Sequence, residues 1–209
     1  MPGDQRVIVV MGQGSESGTP DRCVLHLALN VMAETVSDAF SRVAALANQV
    51  VDALHQRGVP EEDMQTQTVS LQDFFDQKEQ KVTARVGTYA FQVSVPVGDV
   101  GPHLGAVADV AGDSLQVRGL MLTMSDPEPL LTVARRRAVE DARARAEQLA
   151  EAAQVRLGSI LSIEEGGGRG LRLGPQKVSF TPMAASAVPV EPGSAWVNVF
   201  VTLTFGLED

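Results

Sequence analysis

The stretch of sequence that decides the fold covers residues 128–153 and reads EPLLTVARRRAVEDARARAEQLAEAA. Alanine recurs in it at every fourth position, at Ala134, Ala138, Ala142, Ala146 and Ala150. Four residues advance a helix by about 400°, so these alanines form one narrow stripe along the helix. The preceding Ser125-Asp126-Pro127 favours a helix start, and we expect the helix to end near Ala153. Because alanine is small and a strong helix former, we interpret the row from Ala134 to Ala146 as a packing stripe.

Away from this helix, period-2 alternation dominates and predicts β-strands. The final segment is the clearest, because every second residue is apolar: Val197, Val199, Val201, Leu203 and Phe205. Other strands are predicted over 7–12, 23–31, 64–75, 81–97, 115–124 and 156–164, with a bulge at Gly87, and helices over 35–57 and 100–111. Strands joined by short turns pair antiparallel. The order therefore predicts an α+β fold in which antiparallel sheets carry helices on one face.

The predicted elements form one domain over residues 6–208, or two closely packed subdomains within it. The only stretch with the composition of a linker is a Gly/Pro-rich loop at 165–194. It is unusually apolar, with Leu171, Leu173, Val178, Phe180, Met183, Val188 and Val190. We interpret it as an arm that a neighbouring subunit covers, because burying apolar surface stabilises by about 25 cal/mol per Å².

Composition and charge exclude several classes of protein. Of the 209 residues, 44% are hydrophobic and 21% are charged, which excludes a disordered chain. The net charge of −9 argues against nucleic acid or an anionic membrane as the main partner. No window approaches the roughly 20 apolar residues of a membrane span or the roughly 7–15 of a secretory signal. The sequence as written predicts a cytoplasmic protein, or a periplasmic or envelope-associated one if a leader has been removed.

Two glycine-rich segments resemble phosphate cradles, but their spacing departs from the known motifs. Gly12, Gly14 and Gly18 are spaced one residue longer than a dinucleotide fingerprint and precede a strand instead of a helix. We therefore predict a flexible hairpin connection there. The segment 166–174 lacks the Gly-Lys-Ser/Thr ending of a P-loop. A loop is the simpler interpretation, with Arg169 and Arg172 as candidate anion contacts.

The titratable residues show no spacing typical of a catalytic or metal site. His26, His55 and His103 form no metal-ligand pattern with each other or with Cys23. Cys23 falls on the inward side of its strand, where a thiol acts as a small hydrophobe, and it has no partner for a disulfide. We expect no catalytic residue, no structural metal and no cofactor.

The run Arg135-Arg136-Arg137 suggests an anion site when it is taken in isolation. On a helix, however, nearby arginines have acidic partners at i,i+4 spacing: Arg136 with Glu140, Arg137 with Asp141 and Arg143 with Glu147. Such pairs stabilise a helix by a few tenths of a kcal/mol and are typical of a solvent-exposed face. We predict that the arginine run lies on a solvent-exposed face of the helix.

The alanine stripe also belongs to a wider pattern. Leu157-Gly158 and Ile163 follow the stripe, and Val9-x-x-Gly12-x-Gly14 with Pro20-Asp21 stands at the front of the chain. Over residues 7–207 this pattern resembles the SIMPL-domain family, bacterial proteins largely of unassigned function.

The resemblance implies an α+β fold, ring-like homo-oligomers and a link to the bacterial envelope or to oxidative stress. It carries over no catalytic residue. The chain departs from the family pattern at Gln154, where a glycine is frequent, and at Thr88, which separates Gly87 from Tyr89.

Two functions of different classes remain open. The first is a non-enzymatic, self-assembling scaffold or interaction protein. The second is an anion-binding protein or enzyme that uses the Gly-rich loops with Arg169 and Arg172. A convergent set of polar side chains would favour the second, and the sequence shows none with a recognisable spacing. We therefore expect the first.

Overall fold

The computed structural model describes residues 6–76, 80–166 and 190–208. Its strands are β1 (Val7–Gly18), β2 (Arg22–Ala33), β3 (Met64–Asp76), β4 (Lys81–Pro96), β5 (Leu115–Thr123), β6 (Arg156–Glu165) and β7 (Ala195–Glu208). Its helices are α1 (Val36–Gln56), α2 (Val100–Ala111) and α3 (Glu128–Ala152). The strands form two antiparallel sheets, so the predicted α+β class is confirmed.

The elements group into two compact units. The inserted unit consists of β2, α1, β3, β4, α2 and β5, which follow one another along the chain. The terminal unit consists of β1, α3, β6 and β7, which precede and follow the inserted unit in the sequence.

The inserted unit has the split βαβ, or ferredoxin-like, arrangement. Its elements run β-α-β-β-α-β, and its sheet has the order β3-β4-β2-β5 with each neighbouring pair antiparallel. Helices α1 and α2 pack on this sheet. The inward side of β2 is the one that alternation predicted, because Cys23, Leu25, Leu27 and Leu29 are at most 1% exposed.

Helix α1 begins and ends at capping motifs that its sequence encodes. Thr35 is the N-cap, and its Oγ1 accepts a hydrogen bond from the Asp38 N–H at 3.1 Å. At the other end, the N–H groups of Gly58 and Val59 donate to carbonyls of the last turn. This is a Schellman motif, and glycine fits it because the φ of Gly58 is +84°, in the left-handed region.

In the terminal unit β7 is the central strand, and β1 and β6 pair with it on either side. Its inward residues are at most 5% exposed: Val197, Val199, Val201, Leu203 and Phe205. Helix α3 packs on this sheet through its alanines. Ala134, Ala138, Ala142 and Ala146 are each 0% exposed.

The alanines of α3 lie directly against two glycines of β1. A Cβ atom at Gly12 would lie 2.6 Å from the Cβ of Ala142 and closer still to the carbonyl oxygen of Ala138. A Cβ at Gly14 would overlap the carbonyl oxygen of Ala134. The two backbones therefore approach more closely than a side chain at either position allows.

The prediction of a flexible connection from Gly12 to Gly18 is wrong. Strand β1 continues to Gly18 and pairs with β7 over its whole length, from Val7 opposite Gly206 to Gly18 opposite Ala195. The glycines serve the contact with α3. Because glycines contribute no alternation of side chains, the period-2 signal ended the predicted strand too early.

Gly87 is also a site of close approach, and the predicted bulge there is wrong. Its partners are Val31 on β2 and Leu71 on β3, and neither pairing shifts at this point. A Cβ at Gly87 would lie 2.8 Å from the carbonyl oxygen of Ala39 in α1. Glycine is thus required by the packing of α1 on the sheet.

We expect Gly12→Ala to lower the free energy of unfolding by about 1–3 kcal/mol, because the added methyl group forces α3 away from β1. The matched control is Gly105→Ala in α2, where a Cβ meets no described atom within 4 Å. Because this change replaces a glycine within a helix, it should raise the free energy of unfolding by about 0.5–1 kcal/mol. Chemical denaturation of both variants measures the difference.

The reciprocal change on the helix completes this test. Ala142→Leu should overpack the same contact and destabilise by about 1–3 kcal/mol. Arg136→Ala, at a side chain that is 69% exposed, should stay within about 0.5 kcal/mol of the parent protein. Parent-like stability of both Gly12→Ala and Ala142→Leu would contradict the packing described above.

Helix α3 ends in the same motif as α1, but with a side chain in the glycine position. The N–H groups of Gln154 and Val155 donate to carbonyls of the last turn, and the φ of Gln154 is +56°. The left-handed region is unfavourable for a residue with a Cβ atom. The departure from the family pattern noted at Gln154 is therefore a strained position.

We expect Gln154→Gly to raise the free energy of unfolding by about 0.5 kcal/mol, since relief of the left-handed strain outweighs the greater freedom of glycine in the unfolded chain. The converse change, Gly58→Ala at the end of α1, should lower it by about 1 kcal/mol. Thermal unfolding of the two variants checks both signs. A Gln154→Gly protein less stable than its parent would refute the assignment of strain.

Candidate interaction surfaces

The free edge of β1 is covered by charged side chains of α3. Asp141 Oδ2 accepts a hydrogen bond from the Gln13 N–H at 2.8 Å, and Arg137 donates to the Ser15 carbonyl at 2.6 Å. Arg145 donates to a further backbone carbonyl of β1 at 3.2 Å. An unpaired edge is a template for association with another strand, and charged side chains on it prevent that pairing. This edge is therefore closed.

The predicted ion pair between Arg137 and Asp141 is wrong, and the edge of β1 explains why. Arg137 Nη1 lies 3.0 Å from a carboxylate oxygen of Glu16 on β1, and Asp141 pairs with Arg145 at 3.0 Å. Helix spacing alone cannot reveal a strand that lies alongside and competes for the same side chains.

Of the two other ion pairs predicted on α3, one is formed and one is not. Arg136 Nε approaches a Glu140 oxygen at 3.9 Å, so that pair is present. The pair of Arg143 with Glu147 is not formed, although both residues belong to the described part of the chain. The helix face is exposed but only partly ion-paired.

Arg135 joins α3 to the end of β6. It bonds with Glu128 at the start of α3 and with Glu165 on β6. The hydrogen bond to Glu128 and then that to Glu165 raise the pKa of Arg135 above its usual value. The arginine run therefore consists of side chains that are engaged by carboxylates or by the backbone of β1.

The face of the terminal sheet that points away from α3 carries large exposed apolar side chains beside smaller polar ones, and we call it the outer face. Along β1 and β7 its one charged residue is Glu208, at the end of β7. Its large side chains are 41–59% exposed: Val7, Val9, Met11, Trp196 and Phe200. Antiparallel sheets usually carry polar side chains on the face that has no helices. Exposed apolar patches of this kind are typical of interaction surfaces.

On the sheet of the inserted unit, part of the face without helices carries a row of bonded polar side chains. The Gln92 amide donates to Gln65 Oε1 at 2.8 Å, and Gln67 donates to Gln92 Oε1 at 3.0 Å. Gln67 Nε2 also lies 3.4 Å from His26 Nδ1. These side chains satisfy one another in a chain across three strands. They form an ordered polar surface.

Beside this chain of amides lies an open cleft of about 430 Å³, lined in part by Glu62, Asp63 and Ser94. Arg22 pairs with Asp63 and donates to Ser94 Oγ at 3.0 Å. The serine hydroxyl therefore accepts from a cation, whereas a nucleophilic serine needs a base. Among the described residues the cleft has no arrangement for nucleophilic catalysis.

Cys23 and the histidines lie apart and do not form a shared site. Cys23 is 0% exposed. His103 Nδ1 donates to the Asp99 carbonyl at 2.7 Å, and His55 Nδ1 donates to the Val59 carbonyl at 3.0 Å. Within residues 6–76, 80–166 and 190–208, no group of three His, Cys, Asp or Glu side chains is placed to hold a metal ion.

The candidate anion contacts Arg169 and Arg172 lie outside the described residues, as does most of the arm 165–194. Of the apolar residues predicted for the arm, Val190 is described, and it packs against the core of the inserted unit. The arm and its two arginines stay predictions.

Residues 8–205 match the model of the SIMPL family, described as a protein of unknown function (DUF541). The chain belongs to this family. The resemblance recognised in its glycine and alanine motifs is thereby confirmed. The same motifs form the contact between β1 and α3.

Two relatives of this SIMPL protein are 26 kDa periplasmic immunogenic proteins, one from Brucella melitensis biotype 1 and one from Brucella abortus. Each is 28% identical over 211 residues, which cover 96% of this chain and 84% of the relative. None of the helices in the described part of the chain is long and apolar enough to span a membrane.

Burial raises the pKa of Cys23 to about 11, because desolvation disfavours the thiolate. The thiolate is the reactive form, so we expect a thiol reagent at pH 8 to label the protein in denaturant but not in the folded state. The shift also makes stability depend on pH. Its contribution is complete below the ordinary value of 9.0 and is lost as the pH rises towards 11. Stoichiometric labelling of the folded protein at pH 8 would contradict this assignment.

Proposed function

We propose that this SIMPL protein is a non-enzymatic, self-assembling interaction protein whose copies associate through the outer face of the terminal sheet. The observation that carries the proposal is the exposure of Val9, Met11 and Trp196 on a face whose charge along β1 and β7 is confined to the end of β7. The outer face of a second copy, packed against this one, would cover these side chains. Two sheets stack face to face at a separation of about 10 Å.

The size of the outer face suits a contact between copies. Side chains that are half exposed offer on the order of 500 Å² of apolar surface, which is at the upper end for a monomer. Covering that area contributes on the order of 10 kcal/mol per copy before the costs of association. A stable interface buries about 800 Å² on each partner, so polar neighbours on the same strands supply the rim.

The distribution of charge permits a second copy as the occupant. Each chain has a formal net charge of −9, so two copies repel when acidic surfaces meet. On the outer face the charge along β1 and β7 is confined to the end of β7, so the centre of the contact avoids that repulsion. The predicted ring-like form of the assembly stays a prediction.

The names of the relatives and the state of the polar side chains support an interaction role. The relatives are named periplasmic immunogenic proteins, with no reaction in the name. Asp63 and Ser94 of the cleft are both bonded to Arg22. From the relatives we also infer that this chain acts in the periplasm or at the envelope.

Trp196 is the single tryptophan of the chain, so intrinsic fluorescence reports on the outer face. It is 51% exposed, and a covering layer would move it from water into an apolar environment. As the protein concentration rises, we expect its emission to shift to shorter wavelength and its quenching by acrylamide to fall. The mass from sedimentation should rise over the same range.

A charged substitution on the outer face tests the assignment directly. Met11→Lys should keep the protein at the lower mass, because a lysine in the contact is desolvated without a partner. The matched control is Leu149→Lys on α3, where the leucine is 51% exposed, and it should assemble like the parent. A constant monomer mass, or a rise in mass without any change at Trp196, would overturn the proposal.

A further inference from the structure

His26 and three glutamines form a row on the face of the inserted sheet that has no helices. His26 on β2 is opposite Gln92 on β4, and Gln92 is opposite Gln65 on β3. Gln67 has no opposite residue, because the register between β3 and β4 shifts at this position. A bulge of this kind redirects a side chain. The side chain of Gln67 therefore lies across β4, where its Nε2 reaches both Gln92 and His26.

The hydrogen bonds of this row have a direction. Gln67 Nε2 donates to Gln92 Oε1 at 3.0 Å, and Gln92 Nε2 donates in turn to Gln65 Oε1 at 2.8 Å. Gln67 Nε2 also lies 3.4 Å from His26 Nδ1. Because an amide nitrogen only donates, Nδ1 accepts in this contact, and the neutral imidazole carries its proton on Nε2. We call Gln65, Gln67 and Gln92 the amide chain.

His26 differs in this respect from the other two histidines of the chain. In His55 and His103 the Nδ1 atom donates to a backbone carbonyl. Their second ring proton goes to Nε2, so protonation leaves that bond in place. In His26 the second proton goes to Nδ1, which then faces an amide nitrogen as a second donor. Histidine is the side chain that commonly gains this proton between about pH 8 and pH 5.

We propose that His26 sets the direction of the amide chain and that protonation of its imidazole reverses all three amides. A half-turn of the Gln67 amide brings its Oε1 to the Nδ1–H of His26 and to Gln92 Nε2. Gln92 turns in the same way, and its Oε1 then accepts from Gln65 Nε2. The reversed chain keeps every hydrogen bond of the original one with donor and acceptor exchanged. The proton comes from solvent and stays on His26, and the backbone does not move.

The described residues that flank His26 on its sheet are mostly uncharged. The amide chain faces it from β4 and β3, and Gly119, which has no side chain, is opposite it on β5. Arg118 lies beside Gly119 in the bulge of that strand pair and is the cation of β5 at this position. Arg22, four residues earlier on β2, is paired with Asp63. When His26 gains a charge, the amide chain is therefore the adjustable group in contact with it.

The reversal changes the chemistry of the neighbouring cleft, because Gln65 and Gln92 line it together with Glu62 and Asp63. While Gln65 Oε1 bonds to Gln92, the Nε2 of Gln65 points away from that bond and is a donor for the cleft. In the reversed chain the carbonyl oxygen takes its place, beside the two carboxylates. The cleft thus exchanges a donor for an acceptor when His26 is protonated, as in other histidine switches. This switch goes beyond the proposed function, because self-assembly takes no part in it.

NMR of the full chain tests the reversal, with side-chain amide and imidazole resonances followed between about pH 8 and pH 5. As the pH falls, the amide protons of Gln67 leave their hydrogen bonds and should shift upfield. Those of Gln65 enter a hydrogen bond and should shift downfield. Both shifts should have the same midpoint as the imidazole of His26. The variant His26→Gln cannot be protonated, so both shifts should be lost, while the resonances of His55 and His103 serve as internal controls.

Gln92→Met separates a reversal along the amide chain from a field effect of the new charge. Methionine has the length of glutamine but cannot connect Gln67 to Gln65, so Gln67 should still follow His26 whereas Gln65 should not. Backbone resonances like those of the parent show that each variant is folded. A shift of Gln65 that persists in Gln92→Met overturns the proposal. So does a parent protein in which Gln67 shifts alone, in which no amide of the chain shifts, or in which His26 does not titrate over this range.

Discussion

The terminal unit depends on the contact between the backbones of β1 and α3. Gly12 and Gly14 on the strand leave the space that the helix occupies, and Ala138 and Ala142 let it come that close. The approach brings Asp141 within reach of the strand backbone, where it accepts from the Gln13 N–H. One steric constraint thus sets the packing of the helix and also closes the edge of the sheet. This is why glycine and alanine, residues with little side chain, form the recognisable pattern of the chain.

Much of the fold can be predicted from the sequence, because a strand or helix with one buried face has buried residues at a regular spacing. The alternation of β7 and the four-residue row of α3 predicted which side chains are inside. Where a second element decides the outcome, local pattern was insufficient. Local pattern predicts a flexible connection at Gly12 and a bulge at Gly87, because their partners on α3 and α1 are distant in sequence. The partner of Arg137 was missed for the same reason, because Glu16 lies on another element.

The candidate surfaces were harder to predict than the core. Trp196 and Phe200 alternate with the buried residues of β7, and two aromatic side chains on that side were the available signal. They indicate an apolar surface only once β1 is placed beside β7, because β1 adds Val9 and Met11 to the same face. The two sheets also differ. Charged side chains of α3 cover the edge of the terminal sheet at β1, whereas bonded amide side chains cross the sheet of the inserted unit.

The placement of β7 at the centre of the terminal sheet has a consequence for biosynthesis. Strand β1 is made first and β7 last, and nearly the whole chain separates their partners, such as Val7 and Gly206. Contacts between distant segments form slowly, because the entropy cost of closing a long loop comes before the stabilising contacts form. The helices and strands of the inserted unit follow one another along the chain, so they can form while the chain is still on the ribosome, although Val190 joins their core later. During that time β1 lacks its strand partner β7, and an unpaired strand favours aggregation of a nascent chain.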